Sequence, residues 1–237
     1  MATTVTPLKK AAPAAKKTAA AKVAPEPQPE TLIIPRLTRE TIVVTITGET
    51  PLIVHRFSEK AKRIMLESMQ GRKNPKEPKD PVAEFEAAAY RFEDGGYGFP
   101  AIGVKAAMVS AGRFYKGVTM VALRQAIFVK GVIGVDGQQL VRIIGGSPEM
   151  GEEPEMREDV VRVGMSGTDL RYRPTWKEWS AEVEISYFTG MLDRTAILAL
   201  LDAAGTGVGI GEWRPERNGD NGTFRVDDTV DIKILSQ

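Results

Sequence analysis

The chain has 237 residues, of which 42% are hydrophobic and 27% are charged, a mixture that excludes a wholly disordered, collagen-like or coiled-coil chain. Its 32 lysines and arginines balance 31 acidic residues, so the net charge of +1 predicts no partner. The lack of cysteine excludes disulfides and thiolate metal sites, and the single histidine, His55, excludes a site with several imidazole ligands. No apolar run could span a membrane, and lysines interrupt the N-terminus, so we expect a cytoplasmic protein without a signal peptide.

Residues 1–36 differ from the rest of the chain in composition. They are rich in Ala, Pro, Thr and Lys, and all of their lysines precede the first acidic residue, Glu26. This composition predicts a disordered basic arm, which either gains affinity for nucleic acid by neutralising phosphates or serves as a solubilising linker. The remaining residues, 37–237, are long enough for a single domain.

The first half of this domain predicts one long strand and several helices. β-Branched residues favour the strand, and apolar residues at helical spacing behind capping residues favour the helices. The predicted elements are a strand at 41–47, a helix from Ser58 to about Gln70, a polar basic loop at 71–80, a helix from Asp80 whose buried face is Phe85, Ala88, Ala89 and Phe92, an extended piece at 97–100, and a helix at 102–115.

The second half predicts mainly strands. The elements are a helical turn at 120–124, a strand at 126–129 paired as a hairpin with 140–144, an acidic loop at 145–159, strands at 160–163, 170–173 and 181–188, a helix at 191–204, a glycine-rich extended segment, and strands at 223–226 and 230–235. This order predicts an α+β fold of ferredoxin-like type, with an antiparallel sheet, helices on one face and β-hairpin insertions. It does not suit a doubly wound parallel sheet.

A glycine-rich run precedes Trp213 near the C-terminus, with glycine at every second position from Gly205 to Gly211. Such a run either packs closely under a helix or leaves a bare face for a phosphate or base. It lacks the Lys-Ser/Thr of a phosphate-binding P-loop. It also follows a helix rather than a strand, which excludes the dinucleotide fingerprint.

Other segments combine positive charge with features that suit an anion or a base. Pro100 and Gly103 leave backbone N–H groups near Lys105, which suits an anion but equally fits a capped core helix. Basic and aromatic residues interleave at 113–116, 171–173 and 176–179. This pattern is typical of surfaces that bind single strands, and also of core aromatics with exposed charged neighbours.

No catalytic signature stands out from the sequence. His55 could act as a general base, but a lone histidine at a strand end is more often structural. The acidic loop contains Glu149, Glu152 and Asp159 among its carboxylates and lacks the spacing of a calcium-binding loop. We therefore expect no catalytic residue, no metal and no cofactor.

Three segments together resemble the RAMP superfamily, the RNA-binding backbone and processing subunits of CRISPR effector complexes. Residues 43–55 are similar to the family's opening strand and Pro-Leu turn, residues 99–113 to its Pro-Gly-Ser-Ser-Leu-Lys-Gly…Arg helix entrance, and residues 207–224 to its glycine-rich loop. The second match is partial, because Ala101 and Ile102 interrupt the Pro-Gly pair and the serines are absent. The sequence is also similar to proteins of tailed bacteriophages, a likeness that carries no function.

The RAMP resemblance implies a modified ferredoxin-like fold related to the RRM. It also implies a groove for single-stranded nucleic acid and head-to-tail copies that form a helical filament. The family's RNA-cleaving members use a loop aspartate or a histidine, and no position here matches either convincingly. The resemblance therefore carries over binding and not catalysis.

Our first hypothesis is a non-enzymatic protein that coats single-stranded DNA or RNA as a homo-oligomer, in phage replication, recombination, annealing or guide-RNA binding. Its expected contacts are a clamp of basic loop residues together with cationic and aromatic residues elsewhere: Arg72, Lys73, Lys76, Lys105, Arg113, Tyr115, Arg171, Arg173, Trp213 and Arg214. One alternative is a structural protein of a phage virion or of its assembly. A further alternative is a metal-dependent nuclease that uses His55 or the acidic loop.

Overall fold

The computed structural model describes residues 36–72, 78–145, 153–163 and 167–235. The helices are α1 (Glu59–Met69), α2 (Pro81–Ala88), α3 (Ala101–Ala111), α4 (Met120–Ala126) and α5 (Arg194–Gly207), with short 3-10 helices at Gly112–Phe114 and Pro215–Arg217. The strands are β1 (Arg39–Gly48), β2 (Leu52–Ile53), β3 (Tyr90–Arg91), β4 (Tyr97–Pro100), β5 (Ile127–Lys130), β6 (Val132–Ile133), β7 (Gln139–Arg142), β8 (Ile144–Gly145), β9 (Glu155–Val163), β10 (Gly167–Trp176), β11 (Trp179–Phe188), β12 (Phe224–Val226) and β13 (Lys233–Leu235). Within these ranges no helix is long and apolar enough to cross a membrane.

The central sheet is built on the antiparallel pair β1–β11, which is in register from Arg39 opposite Phe188 to Thr47 opposite Ser180. β12 and β13 pair with β1, while β5 and β8 pair with β11. Alternation along β1 turns Ile42, Val44 and Ile46 to the inner face, where each is at most 1% exposed. Each such side chain contributes about 1.5–3 kcal/mol by leaving water, which holds this β-branched run in the sheet.

Helices α3 and α5 pack against each other and share one apolar core with β1 and β11. Met108 of α3 and Leu201 of α5 are fully buried in that core. Gly205 allows α5 to lie directly on β12, because a Cβ at this position would overlap the carbonyl oxygen of Phe224. The last turn of α5 is therefore held against the sheet, and the loop that follows starts from a rigid base.

Besides the central sheet, the described strands form two smaller sheets. The long hairpin β9–β10 extends from Val163 opposite Gly167 to Glu155 opposite Thr175, and β2 adds to its β10 edge. Helix α2 packs against β10. The other small sheet has four strands in the order β3-β4-β7-β6.

The α+β class is confirmed, because the described strand pairs are antiparallel and the helices do not alternate with parallel strands. The strands predicted at 41–47, 170–173 and 181–188 and the helix from Ser58 are present, and the extended piece predicted at 97–100 is strand β4. The ferredoxin-like topology stays a prediction. So do the disordered arm and its boundary, since residues 1–35 lie outside the described ranges.

One predicted strand pairing and one predicted loop are wrong. Residues 140–144 do not pair with 126–129: β7 forms its hairpin with β6, through a turn in which Gly137 has a φ of 79°, and β5 pairs with β11. The acidic stretch is not a loop up to residue 159, because Glu155 to Asp159 lie in β9. Cross-strand pairs such as Asp159 with Arg173 allow these charges to stand in a strand.

The second helix and the glycine run also differ from expectation. Helix α2 ends at Ala88, and Phe92 is buried beyond it, in the turn between β3 and β4. The glycine run does not form an extended segment: Gly205 and Gly207 belong to α5, while Gly209 and Gly211 have left-handed φ angles in a loop. The two glycines of α5 allow close packing, and the two glycines of the loop allow a left-handed backbone. Their regular spacing in the sequence therefore resembles a strand pattern without forming a strand.

Candidate nucleic-acid interface

The glycine-rich loop, residues 208–222, is tied to the segment that follows β1. The Glu212 amide donates to the Ile53 carbonyl and the Gly222 amide donates to the Pro51 carbonyl, each at 2.9 Å. Within the loop, the Ile210 amide donates to the Gly222 carbonyl, also at 2.9 Å. Gly211 is required here, since its φ is +79° and a Cβ would press on the Ile53 carbonyl. The loop is therefore a fixed platform rather than a free connection.

Trp213 lies at the tip of this loop and is 45% exposed, so it does not plug the core. Its φ is 57°, in the left-handed region that costs a non-glycine residue about 1–2 kcal/mol. Its carbonyl accepts a hydrogen bond from the Asn221 amide at 3.0 Å, which holds the strained backbone in place. Strain of this kind is concentrated at ligand sites, and here it presents a large aromatic face to solvent.

Aromatic and basic residues at the end of α3 lie next to the same loop. Phe114 is 54% exposed and Tyr115 is 40% exposed, and the Phe114 ring lies against Gly207 at the end of α5. The Tyr115 hydroxyl donates to the Ala199 carbonyl of α5 at 3.1 Å, which fixes its ring. We call the set formed by Arg113, Phe114, Tyr115, Trp213 and Arg214 the aromatic–arginine surface.

Glu216 organises the cations of this surface. Its carboxylate accepts a hydrogen bond from the Ser110 hydroxyl at 2.5 Å and another from Arg214 Nη2 at 3.0 Å, and it lies 3.6 Å from Arg113 Nη2. The Ser110 hydroxyl, followed by Arg214, lowers the pKa of Glu216. Two guanidinium groups thus share one carboxylate, which leaves a net positive charge beside the exposed rings.

A cleft of about 230 Å³ opens between the glycine-rich loop, α3 and the end of the β1–β2 segment. It is lined by residues of all the segments on which the family resemblance rests: His55, Pro100 and Gly103 at the start of α3, and the loop from Gly209 to Glu212. Residues far apart in sequence therefore meet at one place. The cap of α3 is Pro100, which makes no side-chain hydrogen bond to the first turn.

His55 lies between this cleft and a second cavity, because it lines both. Burial, and after it the positive charge of Arg171, lowers the pKa of His55, so the imidazole is neutral at pH 7. Within the described part of the chain, its buried Nδ1 has no hydrogen-bond partner. A buried ring nitrogen of this kind calls for a ligand atom or a solvent molecule as its partner.

The second cavity, of about 580 Å³, is a groove between α1, α2 and β10. Arg171 lines it, with its Nε 4.0 Å from Asp169, and Lys79 lines it while paired to Asp169 at 2.6 Å. Arg72 is exposed just beyond α1, whereas Lys73 and Lys76 lie outside the described residues. Of the expected contacts, the structure thus places Arg113, Trp213 and Arg214 at the glycine-rich loop and Arg171 at this groove, and His55 lines both cavities.

Lys105 and Arg173, which are also among the expected contacts, line neither cavity. Lys105 donates to the Arg124 carbonyl at 2.8 Å and lies 4.9 Å from the centre of the Phe128 ring, on the β5 side of α3. Burial lowers its pKa. Arg173 is 1% exposed and bonds Asp159 at 2.6 Å, so its charge is used within the fold.

Several residues of the interface were not among those expected from the sequence. The sequence left open whether Phe114 is a core residue, and only its basic neighbours indicated that it is exposed. Glu212, Glu216 and Ser110 carry no such sign, because their roles depend on partners from other segments. In the described ranges no group of three or more His, Asp or Glu side chains is arranged to hold a metal ion.

Comparisons with known proteins give little for this chain. No family model and no curated protein sequence matches it. Among solved structures it is similar to Cmr6 from Pyrococcus furiosus, with a TM-score of 0.41 and 9% sequence identity, over 81% of this chain and 100% of that chain. A likeness at this level supports no conclusion about family or function.

Proposed function

We propose that this protein binds single-stranded nucleic acid on the aromatic–arginine surface and catalyses no reaction. The observation that carries the proposal is the exposure of Phe114, Tyr115 and Trp213 beside two arginines that are already held in place by Glu216. Single strands are bound by stacking bases on aromatic faces while cations follow the phosphates. The surface combines both elements on a rigid support.

The rigidity of the surface favours binding because little side-chain freedom is lost when the strand arrives. The loop is fixed by main-chain hydrogen bonds, Tyr115 is fixed by α5, and Arg214 also donates to the Gly211 carbonyl at 3.0 Å. Stacking contributes on the order of 1–3 kcal/mol for each base. A few such contacts are enough for a useful affinity.

The bound nucleic acid continues past His55 towards the groove between α1 and α2, which Arg171 lines. The expected basic contacts Arg72, Lys73 and Lys76 belong to the same proposal. This path is supported by the position of His55 at the border of both cavities. The head-to-tail filament and the ferredoxin-like topology implied by the RAMP resemblance belong to the same proposal. In that arrangement successive copies cover successive stretches of strand.

Binding can be tested by fluorescence anisotropy with matched single-stranded DNA, single-stranded RNA and duplex over a range of salt concentrations. We expect tighter binding of single strands than of duplex, and affinity that falls as salt rises. Arg113→Ala with Arg214→Ala should reduce the slope of log affinity against log salt by about 0.7 for each phosphate that the variant no longer neutralises. The matched control is Lys130→Ala with Lys233→Ala, which removes the same charge from exposed strand positions paired with Glu184 and Glu182.

The outcomes separate this function from its rivals. A structural virion or assembly protein would bind no oligonucleotide in a salt-sensitive way, and that result would end the proposal. An equal loss of affinity in the control variant would show that net charge, rather than this surface, drives binding. Cleavage of the labelled strand when magnesium or manganese is added would show a nuclease instead.

A further inference from the structure

The cleft beside His55 has the build of a pocket for a small planar group. Its walls are apolar, with Phe99, Val208 and Ile210 at 9% exposure or less, and Ile102 forms part of the exposed rim. Binding sites for small molecules are typically concave and apolar, with a few polar groups that converge on the ligand. The two chain neighbours of Trp213, Glu212 and Arg214, both line the cleft.

Three polar side chains converge on this cleft. His55 contributes a neutral imidazole whose Nδ1 is buried and unpaired within the described ranges. Tyr90 contributes a hydroxyl that stays protonated, because burial raises its pKa. Glu212 contributes a carboxylate, which lies 3.5 Å from the buried Arg173 Nη1 and is oriented by that charge.

The charges that line the cleft leave Glu212 as the carboxylate that a ligand can use. Glu216 and Arg214 also line the cleft, but they bond each other, and Ser110 donates to Glu216 as well. Arg214 belongs with Arg113 to the aromatic–arginine surface, where we place the phosphates of the bound nucleic acid. The apolar walls and Glu212 therefore suit the base of a nucleotide.

Guanine is the base whose edge matches the cleft best. Its Watson–Crick edge carries two adjacent N–H donors, which a carboxylate accepts together, beside a carbonyl oxygen that accepts from a hydroxyl. Adenine, cytosine and uracil do not offer two adjacent donors to one carboxylate. We propose that this cleft takes one unstacked guanine of the bound strand, with Glu212 as the residue that selects it. This inference rests on the proposed function.

The test replaces guanine by inosine, which lacks the 2-amino group and is otherwise the same base. A pyrimidine strand with guanine at regular positions and the same strand with inosine are compared by anisotropy. Loss of one hydrogen bond to a carboxylate should weaken binding of the wild-type protein about tenfold. In Glu212→Gln this ratio should fall to near one, whereas Glu178→Gln, an exposed residue between β10 and β11, should keep it.

A melting curve for each variant shows that it is folded. If Glu212→Gln does not fold because Arg173 loses a charge partner, Glu212→Asp shortens the carboxylate and should also lower the ratio. A wild-type protein that binds both strands equally would overturn the guanine pocket and leave strand binding intact. A ratio that survives in folded Glu212→Gln or Glu212→Asp would also overturn it.

Guanosine monophosphate is tested alone, to separate a free nucleotide from a base within a strand. Its binding is followed by tryptophan fluorescence, because Trp213 adjoins Glu212. If the wild-type protein binds no strand, the proposed function fails. The assignment of the cleft as a guanine pocket then stands only if the mononucleotide alters the fluorescence of the wild type and not that of Glu212→Gln. The absence of both responses would overturn the pocket as well.

Discussion

Replacing Trp213 by alanine separates a stacking role from a packing role. A fully buried tryptophan costs about 3–5 kcal/mol of stability when cut to alanine. Since Trp213 is 45% exposed, we expect about half of that loss, roughly 1.5–2.5 kcal/mol, in the free energy of unfolding. The loss of strand binding should be of similar size, on the order of 1–3 kcal/mol, if the ring carries a base.

Glycine at the same position sharpens the test. Trp213 has a φ of 57°, so Trp213→Gly removes the left-handed strain and should be more stable than Trp213→Ala by about 1 kcal/mol. At an ordinary exposed position glycine is the less stable of the two. Both variants lack the ring, so both should lose binding equally.

Urea unfolding and anisotropy on the same preparations provide both quantities. Trp213→Phe should recover part of the affinity, because a smaller aromatic face remains. Wild-type affinity in folded Trp213→Ala would refute the stacking role. A glycine variant less stable than the alanine variant would show that the loop relaxes and that Trp213 holds no strain.

The remaining predictions concern the supports of the site. Gly205→Ala should lower the free energy of unfolding by about 1–3 kcal/mol, because the new Cβ meets the backbone of Phe224. In Gly207→Ala the Cβ meets only the exposed Phe114 ring, so urea unfolding should show a smaller loss. Asp159→Ala removes the nearest negative charge from the buried Arg173 and should lower the stability by about 3 kcal/mol. Differential scanning calorimetry can measure this loss. The lowered pKa of Glu216 stabilises the fold above pH 4.5, and this stability is lost as pH falls through the folded-state pKa; Ser110→Ala should flatten that acid limb in urea titrations.

Local chemistry made much of the secondary structure predictable. Ser58 was expected to cap a helix, and its hydroxyl accepts from the Ala61 amide at 3.2 Å. Asp80 similarly accepts from the amides of Val82 and Ala83. These signals depend on residues two or three positions apart, so a single sequence contains them. The same holds for the alternating apolar residues of β1.

The pairing of strands and the grouping of site residues depended on contacts that no local pattern encodes. Ser110 and Glu216 are separated by 106 positions, and their bond positions both arginines of the aromatic–arginine surface. The basic and aromatic segments could be recognised as candidates, but charge alone could not show which cations are free. Arg173 and Arg113 are alike in sequence context, yet one is 1% exposed and the other has a side chain 55% exposed.

The sequence by itself determined that this is an α+β chain with a β-branched first strand and capped helices. These properties follow from backbone propensities and short-range hydrogen bonds. Only the tertiary structure decided that the glycines end a helix and shape a loop, that Trp213 faces solvent, and that His55, α3 and the loop enclose one cleft. The physical reason is that burial and charge pairing are set by the core, which brings distant segments together.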